Sequence, residues 1–249
     1  MHKAARQRYL LDLLSERGQA AVADLAGAIG VSVDTVRRDL ADLARQGLAQ
    51  KNHGGAIALD PPEMKRQARE ALLPETKRRL GRAVAAQIPP GSTLMLDAGS
   101  TLLAVARELR GPATVITASL DIAQCLSDRP EIQLILLGGQ WDARQRLFAG
   151  SATLSLLERY CADIALLGVC AVHAQLGLSA SEEADAAVKR AMLAASGQHW
   201  LVTDHMKLDR CEPHRVAELS QIQRIFTDRP WDSLDDQLPI ELCVVADDR

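Results

Sequence analysis

The apolar positions of the first fifty residues predict three helices. They recur at spacings of three and four residues, as on one face of a helix, at Leu10, Leu13 and Leu14 and again at Val22, Leu25, Ala26 and Ile29. Gly18 and Gly30 follow these two groups, where glycine commonly ends a helix. Ser32 can cap a third helix through its hydroxyl group, and Gly47 is expected to end it.

The third predicted helix has two chemically different sides. On a wheel of 100° per residue, Val36, Leu40 and Leu43 share a narrow arc that should face the core. The opposite arc holds Asp34, Arg37, Arg38, Ala41 and Arg45. Guanidinium groups bind phosphate oxygens and the edge of guanine, and such a helix reads bases with its first two turns. This arc is either a DNA-reading face or simply a solvated one.

The segment LAQKNHGGAIAL predicts a short β-hairpin after the third helix. Two adjacent glycines, Gly54 and Gly55, allow a tight reversal, and Lys51 and His53 would lie where a hairpin meets phosphate. A helix-turn-helix followed by such a hairpin is a winged helix-turn-helix, and this context favours DNA reading. We therefore assign residues 1–57 to a DNA-binding domain.

Residues 58–74 lose the apolar period and are expected to be a linker to a second domain, residues 75–249. There, short apolar segments alternate with helical ones: TLMLDA, ATVITAS, IQLILLGG, DIALLGV, HWLVTD, IQRIFTD and IELCVV. Strands that alternate with helices imply an α/β fold with a mostly parallel sheet covered on both faces. Ligands of such sheets bind beyond the carboxyl ends of the strands.

The segment DAGSTLLAVARELR predicts an anion-binding site at one of these strand ends. Asp97 closes a strand, Gly99 forms a turn, and Ser100 and Thr101 open an amphipathic helix. Backbone amide groups at a helix start, together with two hydroxyl groups, suit a phosphoryl group, although both residues are also ordinary N-caps. The segment matches neither a Walker loop nor a dinucleotide fingerprint.

Composition and charge narrow the class of protein. No stretch approaches the roughly 18 apolar residues that a membrane span needs, so we expect a cytoplasmic protein without a membrane partner. The five cysteines are dispersed without a CxxC pair, which indicates reduced thiols. The net charge of −3 divides into +2 for residues 1–57 and −5 for the remainder, which is compatible with a nucleic-acid-binding module joined to an acidic domain.

The sequences SVDTVRRDLADLARQGL and NHGGA resemble the signature of the DeoR family of bacterial transcription regulators. Arg6, Leu10 and Leu14 stand at the upstream distances of the same signature. The resemblance implies a regulator that binds double-stranded operator DNA, most often a repressor of a carbohydrate catabolism operon. The residues predicted to contact DNA are Ser32, Asp34, Thr35, Arg37, Arg38, Arg45, Lys51, His53 and Gly54. Asp39, on the same helix, is expected to pair internally with a neighbouring arginine.

The resemblance also implies a carboxyl-terminal domain similar to ribose-5-phosphate isomerase, which senses a phosphorylated sugar. Ser100 and Thr101 would hold the phosphate. The remaining predicted effector residues stand at family positions or at further loop ends: Asp97, Gly99, Thr117, Ser119, Gly138, Gly139, Glu182, Lys189, Asp204 and Lys207. Palindromic operators need two DNA-binding domains, so a homodimer or homotetramer is expected.

Two other functions fit parts of the sequence. A sugar-phosphate isomerase or transferase could use Asp97, a glutamate or a lysine as general base, but no paired carboxylates single one out, and the fold alone implies no activity. Cys170 with His173 and Cys211 with His214 could supply four zinc ligands, although buried cysteines are usually core residues. We predict no catalytic residue, no cofactor and no metal.

Overall fold

A computed structural model describes residues 2–17, 19–46, 48–52, 55–58 and 69–246. The chain divides into two compact units, Met1–Leu72 and Leu73–Arg249. Most of the segment expected to be a linker, residues 59–68, lies outside the described residues, as do the predicted helix ends Gly18 and Gly47.

The described residues of the first unit include three helices before residue 47 and a three-stranded antiparallel sheet. Its elements are α1 (Lys3–Arg17), β1 (Gln19–Ala21), α2 (Val22–Ile29), α3 (Val33–Arg45), β2 (Ala49–Asn52) and β3 (Gly55–Ala58). The strand order is β1-β3-β2, so the predicted hairpin gains a strand that the sequence pattern did not indicate. The three predicted helices are confirmed, and the unit is a winged helix-turn-helix.

Local signals in the sequence explain where these helices begin and end. Gly30 adopts a left-handed conformation with φ of 72° at the end of α2. Ser32 caps α3 as predicted, because its Oγ accepts a hydrogen bond from the backbone N–H of Thr35 at 3.2 Å. Val36, Leu40 and Leu43 are buried in the core of this unit, so the predicted inward arc of α3 is confirmed.

The second unit is a larger α/β fold. In chain order its elements are α4 (Pro74–Gln87), β4 (Thr93–Leu96), α5 (Ser100–Glu108), β5 (Ala113–Thr117), α6 (Leu120–Leu126), β6 (Ile132–Leu136), β7 (Gln140–Asp142), β8 (Leu147–Ala149), α7 (Ser151–Leu157), β9 (Ala162–Leu167), β10 (Ala171–His173), β11 (Gly177–Ala180), α8 (Glu183–Ala194), β12 (Ser196–Val202), β13 (His214–Ala217), β14 (Arg224–Thr227) and β15 (Glu241–Val244). Short 3₁₀ helices cover His205–Lys207 and Leu219–Gln221.

Seven strands form one parallel sheet in the order β15-β14-β12-β9-β4-β5-β6. They are the seven strands that the apolar segments predict. The chain starts at β4, proceeds outward through β5 and β6, and then returns to place β9 on the other side of β4. The boundary between β4 and β9 is therefore the topological switch point, beyond which ligands of such sheets usually bind.

Alternate residues of each central strand enter different cores. Leu94 and Leu96 of β4 pack with α4, α5 and α6, whereas Met95 packs in the cluster that contains residues of α7 and α8. This alternation follows from the two-residue period of a strand, and it leaves both faces of the sheet covered. No helix within the described ranges has the length and apolar character needed to cross a membrane.

The sequence pattern missed the small antiparallel elements of the second unit. Strands β7 and β8 form a hairpin, and β10, β11 and β13 form a separate three-stranded sheet. Each of these five strands has only three or four residues, too few for a periodic pattern to be distinct. They adjoin the carboxyl ends of the parallel strands: Phe148 of β8 donates its backbone N–H to the carbonyl oxygen of Ala118.

Candidate DNA-reading helix and effector site

The outward side of α3 carries the arginines that the sequence singled out. Arg37, Arg38 and Arg45 are all exposed, as is Asp34, which lies 3.5 Å from Arg37. Arg45 is paired with Asp42 one turn earlier. The hydroxyl groups of Ser32 and Thr35 lie 2.9 Å apart at the start of the helix. The first two turns of α3 therefore present guanidinium and hydroxyl donors to solvent, as a helix entering the major groove requires.

Asp39 lies on α3 but is buried, and its partner is an arginine of another helix. Arg6 of α1 donates to both carboxylate oxygens of Asp39, at 2.5 Å and 3.3 Å. Asp39 thus pairs internally with an arginine as expected, but the prediction of a neighbouring arginine is wrong, because Arg6 is 33 positions away in sequence. This two-point contact holds α3 against α1.

The wing is described only in part. Lys51 lies in β2, which pairs with β3 as the hairpin prediction requires. His53 and Gly54 lie outside the described residues. Their contact with DNA stays a prediction.

The start of α5 lies next to the switch point of the sheet. Gly99 is the N-cap residue, with φ of 147°, a backbone conformation that is open almost only to glycine. Among the described residues, no neighbouring atom lies within 4 Å of where a β-carbon of Gly99 would be, so the space beyond it is open. A glycine has no side chain with which to cap the first amide groups of α5.

Ser100 and Thr101 are both buried at this helix start. Thr101 is 2% exposed, and its buried Oγ1 atom has no hydrogen-bond partner among the described residues. A buried hydroxyl without a partner costs about 1–3 kcal/mol, so the Thr101 hydroxyl is a candidate to hydrogen-bond a ligand. An uncapped helix start and this hydroxyl together form an arrangement suited to a phosphate.

Asp97, at the end of β4, is engaged on both carboxylate oxygens. Oδ1 accepts from the N–H of Ala98 at 2.8 Å, and Oδ2 accepts from the N–H of Gly168 at 2.9 Å and from Lys189 Nζ at 2.6 Å. Lys189 also donates to Asp185 Oδ1 at 2.7 Å. The Asp97–Lys189–Asp185 cluster is buried, and it connects β4, the loop after β9, and α8.

Burial governs the ionisation of this cluster. Desolvation raises the pKa of Asp97 to about 6, against the opposing attraction of Lys189. Burial by itself would lower the pKa of Lys189, but the attraction of Asp185 and of Asp97 outweighs it, so the pKa rises above its ordinary value. Lys189 is therefore a fixed positive charge.

The ends of β5 and β6 supply the next predicted residues. Thr117 donates its hydroxyl to the carbonyl oxygen of Leu96 at 2.7 Å and accepts from the N–H of Ser119 at 3.1 Å. Ser119 in turn caps α6. The carbonyl oxygen of Gly138 accepts from Thr153 at 2.8 Å, and a β-carbon on Gly139 would lie 2.6 Å from the carbonyl oxygen of Ala149. These residues shape the loops at the carboxyl ends of β5 and β6.

The remaining predicted residues are more dispersed. Asp204 and Lys207 follow β12 and lie 3.6 Å apart, and Asp204 also accepts from the N–H of Met206. Glu182 immediately precedes α8 and pairs at 3.5 Å with Arg144 of the β7–β8 turn. Of the predicted effector residues, the structure thus brings Asp97 and Lys189 into direct contact and places the loop ends along one edge of the sheet.

Sequence reasoning missed several members of this edge. Asp185 precedes Lys189 by four positions on a helix, a spacing that indicates an ion pair. No sequence signal marks the amide of Gly168, which contacts Asp97 across 71 positions. His205, whose Nδ1 lies 2.6 Å from Asp228 Oδ2, joins the loops after β12 and β14.

The four residues considered for zinc do not form a cluster. In the part of the chain that the structure describes, no group of three or more His, Cys, Asp or Glu side chains is arranged to hold a metal. His173 accepts from the N–H of Gln175, His214 pairs with Glu183, and Cys170 lies 3.8 Å from Ser181.

A winged helix-turn-helix whose third helix exposes arginines, joined to a separate α/β unit, defines a DNA-binding transcription regulator. The chain belongs to the DeoR family: the model of the DeoR-like helix-turn-helix domain matches residues 6–61, and that of the DeoR C terminal sensor domain matches residues 73–229. The predicted membership is confirmed.

Several transcription regulators are similar to this chain in sequence over most of their length. The chain is 31% identical over 236 residues to the glycerol-3-phosphate regulon repressor of Escherichia coli K12, covering 92% of each chain. It is 34% identical over 256 residues to the transcriptional repressor GlcR of Bacillus subtilis, covering 100% of this chain and 98% of that one. The L-fucose operon activator of Haemophilus influenzae is 30% identical, with 94% of each covered. These relatives are regulators, so the chain is a regulator rather than an enzyme.

Solved structures show a more distant likeness. Ribose 5-phosphate isomerase A from Methanocaldococcus jannaschii aligns over 54% of each chain, with 17% identity and a TM-score of 0.39. Likeness at this level says nothing about ligand or activity.

Proposed function

We propose that the chain represses a carbohydrate catabolism operon, and that a phosphorylated sugar bound at the start of α5 lowers its affinity for operator DNA. The observation that carries the proposal is the unpartnered hydroxyl of Thr101, buried beside the uncapped start of α5 at the switch point. Ligand and operator would prefer different conformations of the protein, which is all that such regulation requires.

The names of relatives support a phosphate ester as effector, but they do not decide between repression and activation. One relative is named for the glycerol-3-phosphate regulon, whereas another is named an operon activator. A reporter gene under the operator should rise when the gene for this chain is deleted. A fall in the reporter would make the chain an activator.

We further propose that the protein binds operator DNA as a homodimer or homotetramer, through the exposed face of α3. Arg38→Ala should cost about 1–3 kcal/mol of operator binding if Arg38 reads a base, and the cost should fall mainly on the cognate sequence. If Arg38 holds a phosphate instead, binding should weaken equally on all sequences. Titration of cognate and scrambled duplexes separates the two outcomes, and gel-filtration mass tests the oligomer.

The proposed effector site at the start of α5 is tested with a pair of matched variants. The hydroxyl groups of Thr101 and Thr227 are both buried without a partner among the described residues, and both belong to the second unit. Thr101→Val and Thr227→Val each replace such a hydroxyl with a methyl group of the same shape, so neither should lower the melting temperature. Only Thr101→Val should weaken ligand binding.

The assay is a thermal-shift screen of phosphorylated sugars, each paired with its unphosphorylated form. A specific ligand raises the melting temperature of the wild type and of Thr227→Val by mass action, whereas Thr101→Val responds only at concentrations at least about tenfold higher. The proposal fails if the unphosphorylated sugars act equally well, or if both variants respond like the wild type.

A further inference from the structure

A shallow cavity of about 960 Å³ lies between α1 and α3 of the first unit. Thr35, Arg38 and Arg45 line it from α3, and Lys3 and Arg6 line it from α1. The cavity thus adjoins the arginine face of α3, and it includes two cations of the first helix that the DNA-reading prediction did not contain.

Two ion pairs cross this cavity from α1 to α3, and they differ in exposure. The pair of Arg6 with Asp39 is largely buried and makes two contacts. The pair of Lys3 with Asp42 spans 2.5 Å, but the side chain of Lys3 is 63% exposed. The first pair is structural. In the second pair the side chain of Asp42 is only 16% exposed, but Lys3 extends into water, where a cation gains little from an ion pair and can exchange partners.

The second pair carries surplus positive charge. Asp42 also pairs with Arg45, whose side chain is 79% exposed, so two cations share one carboxylate. Hydrogen bonds from Lys3 and Arg45 hold the pKa of Asp42 below its ordinary value, and the carboxylate stays ionised at neutral pH. One positive charge is left over, and both cations keep N–H donors that Asp42 does not use. A phosphodiester group, with one negative charge and two free oxygens, matches this remainder.

The lining of the cavity also includes small side chains. Ala41 and Ala44 belong to its lining, and their short side chains fill little of it. When a recognition helix enters the major groove, the sugar-phosphate strands pass along its flanks, where the preceding helices can reach them. The space beside α3 is where one strand would lie.

We propose that Lys3 and Arg45, held on either side of Asp42, bind one backbone phosphate of the DNA duplex, so that α1 contributes a contact of its own. The inference rests on the DNA-binding function proposed above. It adds Lys3 to the interface and gives Asp42 the role of holding two cations on the same carboxylate. Arg6 remains a positioning residue that fixes α3 through Asp39.

The test measures affinity for a random-sequence DNA duplex at increasing NaCl concentrations by fluorescence anisotropy. Each phosphate contact adds about 0.9 to the magnitude of the slope of log K against log salt. Lys3→Ala should reduce that magnitude by about 1 for each bound protomer, and Lys3→Arg should restore it. Arg8→Ala is the matched control, because Arg8 is an exposed cation of α1 outside the cavity lining, and its slope should equal that of the wild type.

The outcomes separate this inference from the function on which it rests. A wild-type protein that binds no duplex at low salt refutes the DNA-binding function itself. If Lys3→Ala lowers the melting temperature but leaves the slope unchanged, Lys3 only joins the two helices and the inference is wrong. Equal losses of slope in Lys3→Ala and Arg8→Ala would indicate general attraction and would also overturn it.

Discussion

The Asp97–Lys189–Asp185 cluster places two carboxylates around one ammonium group in the interior of the second unit. If both carboxylates are ionised, the cluster carries one uncompensated negative charge, which a medium of low dielectric constant penalises. A proton on Asp97 removes that charge, and this is why burial raises the pKa of Asp97 to about 6.

The raised pKa makes stability depend on pH in a predictable direction. Between the ordinary pKa of an aspartate and about 6, the folded protein holds a proton on Asp97 that the unfolded chain has lost. The free energy of unfolding should therefore fall through this window as pH rises. Asp97→Asn lacks the titration, so its stability relative to the wild type should improve from pH 4.5 to pH 7. Urea unfolding of both proteins at the two pH values measures the change.

A constant difference in unfolding free energy between the two proteins at both pH values would contradict this assignment of the pKa to Asp97.

Sequence reasoning could select Asp97 and Lys189 one at a time, from a strand end and from a family resemblance. It could not pair them, because 92 positions separate them and local patterns carry no information about such a contact. The same holds for Arg6 and Asp39, which lie 33 positions apart.

Helices α4 and α5 pack so closely that a glycine is required between them. A β-carbon on Gly81 of α4 would lie 2.6 Å from the carbonyl oxygen of Ala104 in α5, closer than such atoms can approach. Since the obstacle is backbone rather than a movable side chain, the two helices would have to separate. The apolar pattern predicts the helix at α5 and the strand before it, but a single glycine in a helix gives no sign of the contact that requires it.

Gly81→Ala should lower the free energy of unfolding by about 1–3 kcal/mol, although alanine is the better helix former. Gly27→Ala is the matched control, because Gly27 also lies within a helix and no atom in the described part of the chain is within 4 Å of its β-carbon position. That substitution should stabilise by up to about 1 kcal/mol. Chemical denaturation compares them, and a Gly81→Ala protein as stable as the wild type would show that the helices can separate at no cost.

At the scale of the whole molecule, each unit has its own core. One hydrophobic cluster lies in Met1–Leu72, and two lie in Leu73–Arg249, on the two faces of the seven-stranded sheet. This two-unit architecture could be predicted because the signals for it lie in short stretches of sequence. These signals are the helical spacing before residue 57 and the alternation of strands and helices after residue 74. The small antiparallel sheets could not be predicted, since their short strands depend on partners from other parts of the chain.

A fragment of residues 73–249 should fold alone and retain the ligand-induced rise in melting temperature, because the proposed effector residues all belong to it. It should not bind the operator. Thermal unfolding of the fragment, with and without the ligand found for the full chain, is the measurement. A fragment that folds but no longer responds to that ligand would place part of the effector site in Met1–Leu72.

The contact between Asp97 and Gly168 has a consequence for how the sheet opens. Strands β4 and β9 are neighbours, with Leu94 opposite Ile164, but the chain between them forms the whole of one side of the sheet. The boundary between β4 and β9, which is the seam of the sheet, therefore joins segments that are distant in sequence. A ligand at the start of α5 would lie next to this seam. Separation of β4 from β9 and release of the ligand would then occur together. Amide hydrogen exchange in β4 and β9 would then slow on ligand binding more than in the edge strands β6 and β15.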